Sequence, residues 1–571
     1  MSYATDAGGG ENLRAGAFVP KSILCLRGYT FGAFVSDLVA GVTVGLVALP
    51  LAMAFAISSG VPPQYGLYTA IVAGFLISAL GGSRMQIGGP TGAFVIVVYG
   101  IIAKHGVDGL YMCTLMAGVM LILLGVTGLG QAVKYIPRPV VIGFTNGIAV
   151  LIASTEIKDF FGLKVDKVPG DFLGRMHALF QNWRTFSSQA TITALLVVAV
   201  ILVMRRYVKR VPGSIVALVA ATAVAWSMHL PMTTIQTRFG GIPAGLPHVA
   251  IPSFRPDLIL SLLSPAMTVA MLGAIESLLS AVVADRMSGD RHNPNVELIA
   301  QGIANIFSPL VGGLPATGAI ARTATNIRSG ARTPVAGMIH ALTLLGILVA
   351  FAPLAKHIPL CVLAGILMVV CYNMGEWSEI GEILKLSKTD ISVWLVTFTL
   401  TVVADLTVAV ETGMILAALL YIRKVTTTTT VSRVTSQYIE AGIAHSLQLN
   451  PIPEGVVVYR IHGPFLFGAG DKLAVIEQDM DELPPVIVLR LRNMTAIDAT
   501  GLHALEHLAD RLQQHGRRLI VCGMRDQPAR LINQAEFHEL IGDENIQPTL
   551  AGAIRRAREI LGTPHPVNKV A

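Results

Sequence analysis

Charged residues are scarce in this chain, since aspartate, glutamate, lysine and arginine together make up only 13% of its 571 residues. Soluble proteins carry about 25% charged residues, so this shortage excludes an ordinary soluble protein. Hydrophobic residues make up 53% of the chain instead. The composition predicts a membrane protein.

Cysteine is also rare, and the five cysteines lie far apart, without histidine or cysteine neighbours at the spacing of metal ligands. This pattern argues against a disulfide framework and against a metal site, and we expect no cofactor. We interpret the cysteines as buried apolar thiols. They are Cys25, Cys113, Cys361, Cys371 and Cys522.

The apolar residues are gathered in about fourteen runs, most of them about 15 to 25 residues long, the length at which a helix crosses a hydrocarbon core. We therefore predict a polytopic α-helical transport domain over residues 31–425, preceded by a cytosolic tail at 1–30, whose polar, glycine-rich first 18 residues we expect to be flexible. The runs lie near 40–58, 65–80, 91–104, 110–128, 138–155, 190–204, 213–229, 259–284, 296–311, 318–327, 334–354, 358–373, 390–404 and 407–422.

Lysine and arginine cluster in alternate loops, which the positive-inside rule assigns to the cytosol. The N-terminus then lies in the cytosol too, and we predict a multi-pass protein of the bacterial inner membrane. The net charge of +7 needs no nucleic-acid partner, because cytosolic loops face an anionic leaflet. The basic loop residues are Lys134, Arg138, Arg205, Arg206, Lys209, Arg210, Arg286, Arg291, Arg328, Arg332, Arg423 and Lys424.

The character of the chain changes after the last apolar run. A stretch that starts with threonines predicts a linker over residues 426–452, and residues 453–571 alternate strand patterns such as VIVLRL with an amphipathic helix pattern, GLHALEHLADRLQQHG. Strands that alternate with helices predict a small α/β domain. We place it in the cytosol because it follows the last span on the basic side.

The tripeptide Thr-Gly-Ala occurs at 91–93 and at 317–319, each time after a glycine-rich stretch and before a short apolar segment. One such tripeptide would be explained by close helix packing through small residues. Two copies in matching contexts indicate paired half-helices at the interface of an inverted repeat, where transporters bind their substrate.

The third span runs outward and the tenth runs inward, so the starts of the two half-helices are predicted to meet near the midplane. Helix N-termini carry unpaired N–H groups and partial positive charge, which suit an anion. Arg322, one turn into the second half-helix, adds a full charge. We predict an anion site here, and the alternative is a structural ion pair between Arg322 and a buried acid.

Glu276 lies near the middle of the eighth span, with Ser280 one turn further along the same helix face. An ionisable residue inside a membrane is a functional candidate, and we predict that Glu276 carries a coupling proton. Two alternatives stay open. Glu276 and Ser280 could instead bind sodium, or Glu276 could form a fixed salt bridge with Arg322.

Four motifs of the membrane domain, taken in order, resemble the SulP anion-transporter family, the relatives of animal solute carrier family 26. The C-terminal domain is similar to the STAS domain of such transporters through AIDATGLHAL at 496–505. The resemblance covers nearly the whole chain. The membrane motifs are DLVAGVTVGLVALPLAMAFAISSGVPPQYGLYTA at 37–70, GGSRMQIGGPTGAF at 81–94, GAIESLLSAVVADRMSG at 273–289 and PATGAIARTATNIRSGARTP at 315–334.

The resemblance implies seven plus seven spans in inverted repeats. It divides them into a core bundle, spans 1–4 and 8–11, that carries the substrate and a gate bundle that forms a homodimer contact. Elevator-like motion of the core against the gate follows. The implied substrate contacts are Leu51, Phe55, Thr91, Gly92, Ala93, Ala319, Ile320, Ala321 and Arg322, with Glu276 and Ser280 beside them for ion coupling.

The chain departs from the animal members of the family at three of these positions. Where chloride-handling relatives tend to have a glutamine, an aromatic residue and a serine, it has Leu51, Thr91 and Ala321. This difference argues against a halide channel or a simple chloride exchanger.

The glutamate of GAIES is similar to that of bacterial members that are proton-coupled, and the fourth motif is similar to that of C4-dicarboxylate carriers. We therefore predict proton-coupled symport of a small anion such as fumarate or succinate by alternating access. The alternative is a sulfate or bicarbonate transporter coupled to protons or sodium, because those anions satisfy the same helix dipoles.

In the STAS domain, Asp498, Thr500 and Gly501 match the motif D-x-[ST]-G, whose hydroxyl residue can be phosphorylated in soluble relatives. A phosphate at the start of a helix is electrostatically favoured, so Asp498 and Thr500 are candidate regulatory residues. The structural alternative is that Thr500 caps a helix that begins at Gly501 while Asp498 orients the turn.

Two other classes of function remain. By family analogy the same fold carries uracil and xanthine, although Arg322 beside two helix starts argues against a neutral nucleobase. A sensor would use the membrane part only to anchor the STAS domain, which needs far fewer spans. No arrangement of nucleophile, base and oxyanion hole occurs among the motifs, so we do not predict an enzyme.

Overall fold

The computed structural model describes residues 19–130, 137–165, 168–207, 212–243, 245, 249–250, 255–404, 406–434, 452–468, 470–478 and 480–562. The chain forms two compact units, Met1–Ala417 and Ala418–Ala571. The first unit is helical apart from two very short strands, and the second contains a five-stranded sheet.

The helices that begin in the first unit follow one another with short connections. They are α1 (Lys21–Leu26), α2 (Phe31–Ser58), α3 (Pro63–Leu80), α4 (Ala93–Val126), α5 (Arg138–Phe160), α6 (Phe172–Gln181), α7 (Ser188–Tyr207), α8 (Gly213–Ser227), α9 (Ile235–Phe239), α10 (Ile259–Ser288), α11 (Pro294–Phe307), α12 (Ile320–Arg328), α13 (Val335–Ala355), α14 (Leu360–Met374), α15 (Trp377–Ile383), α16 (Lys388–Val403) and α17 (Leu406–Thr428). The two strands are β1 (Gly88–Gly89) and β2 (Thr317–Gly318).

Every apolar run predicted from the sequence falls on one of these helices. Eight helical segments in the described residues are long and apolar enough to cross a membrane by themselves. The longest, α4, is two helices in one, because Gly106 has a φ of 72° and interrupts the helical backbone between the third and fourth predicted spans. Glycine adopts a positive φ without steric cost, which explains its presence at this break.

The helices of the first unit pack in two matching sets. In one set α2 and α3 both contact α13, and in the other α10 and α11 both contact α4. Glycine allows the backbones to approach in each set. A Cβ on Gly41 of α2 would lie 2.5 Å from the Ala336 carbonyl oxygen of α13, and a Cβ on Gly118 of α4 would lie 2.8 Å from the Gly302 carbonyl oxygen of α11. Small residues permit such contacts between membrane helices.

Part of the predicted N-terminal tail is folded. Within residues 1–30, α1 is fastened to the end of α3, because the Lys21 N–H donates to the Gly81 carbonyl at 2.9 Å and Ser22 Oγ donates to the Ala79 carbonyl at 2.6 Å. The predicted flexible stretch covers residues 1–18, which lie outside the described part of the chain, and the following residues contain α1.

The second unit is an α/β domain, as the alternating pattern predicts. Its strands lie in the order β3-β4-β5-β6-β7, with β3 antiparallel to β4 and the other neighbours parallel. The strands are β3 (Thr430–Arg433), β4 (Val456–Phe465), β5 (Val486–Ile497), β6 (Arg518–Cys522) and β7 (Ile546–Gln547), and the helices are α18 (Ala474–Glu477), α19 (Ala499–Gln514), α20 (Asp526–Gln534), α21 (Phe537–Ile541) and α22 (Leu550–Leu561).

Side chains from the two faces of this sheet form two apolar cores. Tyr459 on β4 packs in the core that contains Leu508 of α19, and Val458, the next residue on the opposite face, packs in the core that contains Ile554 of α22. Helices therefore cover both faces of the sheet, as is usual for a largely parallel sheet.

The predicted linker at 426–452 is partly regular structure. Its first residues end α17, and β3 pairs with β4, with Thr430 opposite His462. The sheet thus begins about twenty residues earlier than the boundary at 453 predicted by the strand pattern. Residues 435–451 lie outside the described residues.

Four of the five cysteines are buried, as predicted, and Cys25 is half-buried. Burial raises the pKa of the Cys522 thiol, at the end of β6, to about 12. A thiol of this kind stays protonated at neutral pH and is a poor nucleophile.

Asp498, and not Thr500, caps the first helix of the STAS motif. The Gly501 N–H donates to Asp498 Oδ1 at 2.8 Å, and the Phe467 N–H, just after β4, donates to Asp498 Oδ2 at 2.9 Å. The prediction that Thr500 caps this helix is wrong, because α19 begins at Ala499 and Thr500 is exposed in its first turn. That exposure leaves the predicted regulatory role of Thr500 untested.

We expect Asp498→Ala to weaken the first turn of α19 by about 1 kcal/mol, the usual cost of losing an N-cap side chain. Hydrogen–deuterium exchange of the purified full-length protein measures this as faster exchange at residues 499–505. Thr500→Ala is the matched control and should change the same exchange by less than about 0.5 kcal/mol. A larger effect of Thr500→Ala than of Asp498→Ala would contradict the assignment of the cap.

Candidate anion site at the paired half-helices

Two short strands hold the glycine-rich stretches of the membrane unit together. β1 pairs with β2 in antiparallel register, with Gly88 opposite Gly318. The Ala319 N–H donates to the Ile87 carbonyl at 2.8 Å and extends this pairing to the start of α12. The structure thus confirms that the starts of the two predicted half-helices meet.

Neither half-helix is capped by a side chain of the described residues. α4 begins after Gly92 and α12 begins after Ala319, and neither residue has a side-chain acceptor. The first N–H groups of a helix lack a carbonyl partner within the helix. At α4 the Phe94 and Val95 N–H groups already donate to the Thr91 and Gly92 carbonyls at 3.3 and 3.1 Å. The Ala93 N–H, the first turn of α12 and the positive dipole ends of both helices therefore face an external anion.

Arg322 on α12 reaches back to the start of α4. Its Nη2 donates to the Pro90 carbonyl, and the residue is only 3% exposed. Its Nη1 has no hydrogen-bond partner within the described part of the chain. Arg322 thus joins the two half-helices, while one of its terminal nitrogens keeps its capacity to donate.

Glu276 on α10 contacts the start of α4. Thr91 Oγ1 donates to Glu276 Oε2 at 2.9 Å, and both residues are partly exposed. The fixed salt bridge between Glu276 and Arg322 that the sequence left open is not formed, since within the described ranges no carboxylate lies within 4 Å of the Arg322 guanidinium. The two opposite charges flank Thr91 without neutralising each other directly.

Ser280 is buried one turn along α10 and interacts with α12. Its Oγ lies 3.1 Å from Thr323 Oγ1, which in turn accepts a hydrogen bond from the Ile87 N–H at 3.0 Å. Among the described residues no hydrogen bond joins Ser280 to Glu276. Glu276 and Ser280, which were predicted to act together in ion coupling, therefore contact different elements. Ser280 stabilises the start of α12.

Ser277 is the residue of α10 that contacts β2. Its Oγ lies 2.7 Å from Thr317 Oγ1 and accepts the Gly318 N–H at 3.1 Å. Gln86 Nε2 donates to the Ser277 carbonyl at 3.2 Å, just before β1. These contacts fasten the strand pair to α10, so that Glu276 has a fixed position beside it.

The remaining predicted contacts fall into a buried and an exposed group. Leu51, Phe55, Gly92, Ala93 and Ala319 are buried. A Cβ on Gly92 would lie 3.3 Å from Phe55 Cε1, so that Phe55 of α2 packs directly against the start of α4. Ile320, which is 38% exposed, and Ala321 are the exposed members. With Thr91 and Glu276 they form the accessible surface of the site.

The sequence analysis did not single out several polar residues that build this site. They are Gln86, Ser277, Thr323 and His340. The last is fully buried on α13, and neither of its ring nitrogens has a hydrogen-bond partner within the described part of the chain. Each is a polar residue within or beside an apolar or glycine-rich run. A polar residue in such a run is the sequence signal by which these positions could have been found.

We expect Gly89→Ala to impair folding and uptake together. Gly89 has a φ of 145°, and a Cβ would lie 2.7 Å from Arg322 Nη1. Such a backbone conformation costs an L-residue about 1 to 3 kcal/mol, and the methyl group would displace the guanidinium. The expected results are a lower thermal midpoint of the purified protein and reduced uptake in liposomes.

The matched control is Gly346→Ala on α13, where a Cβ would have no atom within 4 Å. It should leave both measurements unchanged or raise the thermal midpoint, because alanine favours a helix over glycine by about 1 kcal/mol. Equal thermal midpoints and uptake for Gly89→Ala and the control would contradict the assigned geometry.

Comparisons with known proteins identify the family of the chain. The sulfate permease family matches residues 34–397, and the STAS domain matches residues 449–553. A putative sulfate transporter of Bacillus subtilis, YvdB, is 41% identical over 527 residues, which cover 91% of this chain and 97% of that protein.

Two solved structures are similar. The transmembrane domain of a cyanobacterial bicarbonate transporter, BicA, is 33% identical with a TM-score of 0.61, and the match covers 68% of this chain and 98% of that one. The murine anion transporter Slc26a9 in the inward-facing state has a TM-score of 0.85 over 98% of this chain and 96% of that one. Its sequence is 17% identical, so that this likeness concerns the fold alone.

Proposed function

The chain belongs to the sulfate permease family, so it is a membrane transporter of anions and not an enzyme, and from that premise we propose that it moves a compact oxyanion, sulfate or bicarbonate, together with a proton. The observation that carries this proposal is the meeting of two uncapped helix starts beside the unpartnered Nη1 of Arg322. Together they provide N–H donors and positive charge for one anion.

The charge of the site favours a compact anion over a C4-dicarboxylate. Arg322 is the one basic side chain that, within the described residues, hydrogen-bonds to the start of a half-helix. A C4-dicarboxylate carries two separated carboxylates, of which this one guanidinium can pair with only one, whereas the charge of sulfate or bicarbonate lies on one compact group. The names of the relatives, a putative sulfate transporter and a bicarbonate transporter, support the same choice.

Glu276 is the proposed proton carrier. Its Oε2 accepts a hydrogen bond from Thr91, next to the helix start that would bind the anion. Protonation of this carboxyl removes a negative charge beside the anion, so proton and anion binding should favour each other. Because Glu276 and Ser280 contact different elements, they do not form a common set of oxygen ligands. A sodium ion needs several such ligands, so we favour a proton as the coupled ion.

We also propose that the core bundle moves as one body against the gate bundle. The matching packing of α2 and α3 on α13 and of α10 and α11 on α4 supports inverted repeats within the core. Between core and gate, Ser58 Oγ at the end of α2 donates to Glu156 Oε1 of α5 at 2.5 Å, and Tyr99 of α4 donates to the Val168 carbonyl at 2.8 Å. Such single hydrogen bonds can break and reform during motion.

The assembly and location that we propose follow the family resemblance. We expect a homodimer in the bacterial inner membrane, with the N-terminus and the STAS domain in the cytosol. The alternating basic loops support this orientation.

Uptake by purified protein in liposomes tests the proposed function. Radiolabelled sulfate, bicarbonate, fumarate and uracil are compared with and without an inward proton gradient, first in the absence of sodium and then with sodium added. We expect sulfate or bicarbonate to accumulate and the gradient to increase that accumulation. Excess unlabelled sulfate should compete with bicarbonate, because both anions would occupy one site.

Three results would change the proposal. Uptake of fumarate alone would replace the oxyanion by a dicarboxylate, uptake only with added sodium would replace the proton, and uptake of uracil without charge movement would remove the anion site. Sulfate is the preferred anion for the coupling measurement, because its charge does not change near neutral pH, whereas bicarbonate protonates.

A further inference from the structure

A polar cavity lies at the end of the core bundle where α2 begins. Its volume is about 400 Å³, and its lining includes Lys21, Arg27, Arg84, Arg332 and Asp290. Four of these side chains are basic and one is acidic. We propose that this cavity binds the phosphate headgroup of an anionic phospholipid.

The single carboxylate is already neutralised. Lys21 Nζ donates to Asp290 Oδ1 at 3.1 Å and to Oδ2 at 3.0 Å. Burial opposes the ionisation of Asp290, but the hydrogen bonds from Lys21 and from the Arg291 N–H hold the pKa of the Asp290 carboxyl below its usual range. Asp290 therefore stays ionised and paired with Lys21 at neutral pH.

The three arginines keep their charge available for a ligand. Arg84 uses Nε to donate to the Arg332 carbonyl at 2.7 Å. Within the described ranges no carboxylate forms an ion pair with Arg27, Arg84 or Arg332. Three unneutralised guanidinium groups around one cavity suit a phosphate, which guanidinium binds through paired N–H donors.

Buried hydrogen bonds hold the residues around the cavity in place. Asp37 on α2 is fully buried and accepts hydrogen bonds from the Arg332 N–H at 2.6 Å and from Tyr29 OH at 2.9 Å. Thr333 Oγ1 donates to the same carboxylate at 2.5 Å. The loop that follows α12 is thereby fixed to the segment that precedes α2, and the basic groups come from separate parts of the core.

Exposed apolar side chains beside the cavity indicate a lipid as the source of the phosphate. Ile23, Leu24 and Leu26 of α1 are 52%, 47% and 52% exposed, and Phe31 at the start of α2 is 80% exposed. Because α2 is a candidate membrane span, these side chains lie at the depth where a span leaves the bilayer. Acyl chains can cover them while the headgroup enters the cavity.

Thermal unfolding of the delipidated full-length protein in detergent tests this site. Titration with phosphatidylglycerol should raise the thermal midpoint, and phosphatidylcholine should have a much smaller effect. For the triple variant Arg27→Gln, Arg84→Gln and Arg332→Gln, the apparent affinity for phosphatidylglycerol should fall by a factor of roughly 10 to 100.

The matched control replaces three exposed arginines elsewhere, as Arg184→Gln, Arg328→Gln and Arg423→Gln, and should bind phosphatidylglycerol as the wild type does. If the triple variant does not fold, Arg27→Gln alone, in the exposed turn before α2, should still weaken binding. Equal affinity of the wild type and the Arg27→Gln variant, or of the two triple variants, would overturn the proposal.

Inorganic phosphate and glycerol 3-phosphate form separate arms of the same titration. Stabilisation by one of these soluble anions at the concentration at which phosphatidylglycerol acts would overturn the lipid as the source. All readouts are binding to the purified protein, so the outcome does not depend on which anion is transported.

Discussion

Arg322→Ala should reduce anion uptake in liposomes to about a hundredth of the wild-type rate and leave a folded protein in the membrane. The side chain is 3% exposed and joins α12 to the Pro90 carbonyl, just before the start of α4. Loss of a hydrogen bond from a charged group costs about 1.5 to 3 kcal/mol, and each 1.4 kcal/mol is a factor of ten in rate or affinity.

Two further variants make this result interpretable. Arg322→Lys keeps the charge but loses the planar fork, so we expect partial activity with weaker anion binding. Arg328→Ala removes an exposed arginine from the last turn of the same short helix and should transport normally. Normal uptake by Arg322→Ala would remove this residue from the site.

Glu276→Gln should abolish the dependence of uptake on a proton gradient while sulfate still exchanges across the membrane. For symport of one proton, accumulation in the wild type rises about tenfold for each pH unit of gradient, because one unit corresponds to 1.4 kcal/mol. The glutamine keeps an oxygen that can accept the Thr91 hydroxyl, so the hydrogen bond of 2.9 Å is retained while the titratable group is lost.

Thr91→Val distinguishes the role of the hydrogen bond to Glu276 from the role of the Glu276 carboxyl as proton carrier. It removes the donor to Glu276 but leaves the carboxyl, so a gradient should still drive uptake, with its effect shifted along the pH scale. If Glu276→Gln keeps an unaltered response to the gradient, Glu276 does not carry the proton. A response to sodium in the wild type that is lost in Glu276→Gln would assign the residue to a sodium site instead.

The main features of the membrane unit could be predicted because they depend on local composition. Long apolar runs, glycine-rich interruptions and the repeated Thr-Gly-Ala each have one favourable structural solution in a bilayer. The helix break within α4 lies between two predicted runs because Gly106 supplies a positive φ there. The pairing of β1 with β2 follows from opposite directions of the third and tenth spans.

The contacts inside the site could not be predicted, because they depend on side-chain direction in three dimensions. Helical periodicity placed Glu276 and Ser280 on one face, but α10 has polar neighbours on more than one side. Ser277 consequently contacts β2, and Ser280 contacts Thr323. Sequence also could not show that Arg322 turns toward Pro90 and not toward Glu276.

The errors at the ends of the elements have a different cause. Asp498 and Thr500 are both good capping residues, and the choice between them depends on where β5 ends and on the Phe467 N–H. Helix ends are uncertain by one or two residues for this reason. Likewise, α1 is six residues long, and its order comes from its contacts with α3 and not from its own sequence.

The pairing of β1 with β2 has a consequence for energetics across the membrane. Because backbone hydrogen bonds tie the two helix starts to each other, any displacement of α12 takes the start of α4 with it. In the proposed motion of the core bundle, one unchanged set of donors faces each compartment in turn. The intrinsic dissociation constant for the anion should then be the same from both sides of the membrane.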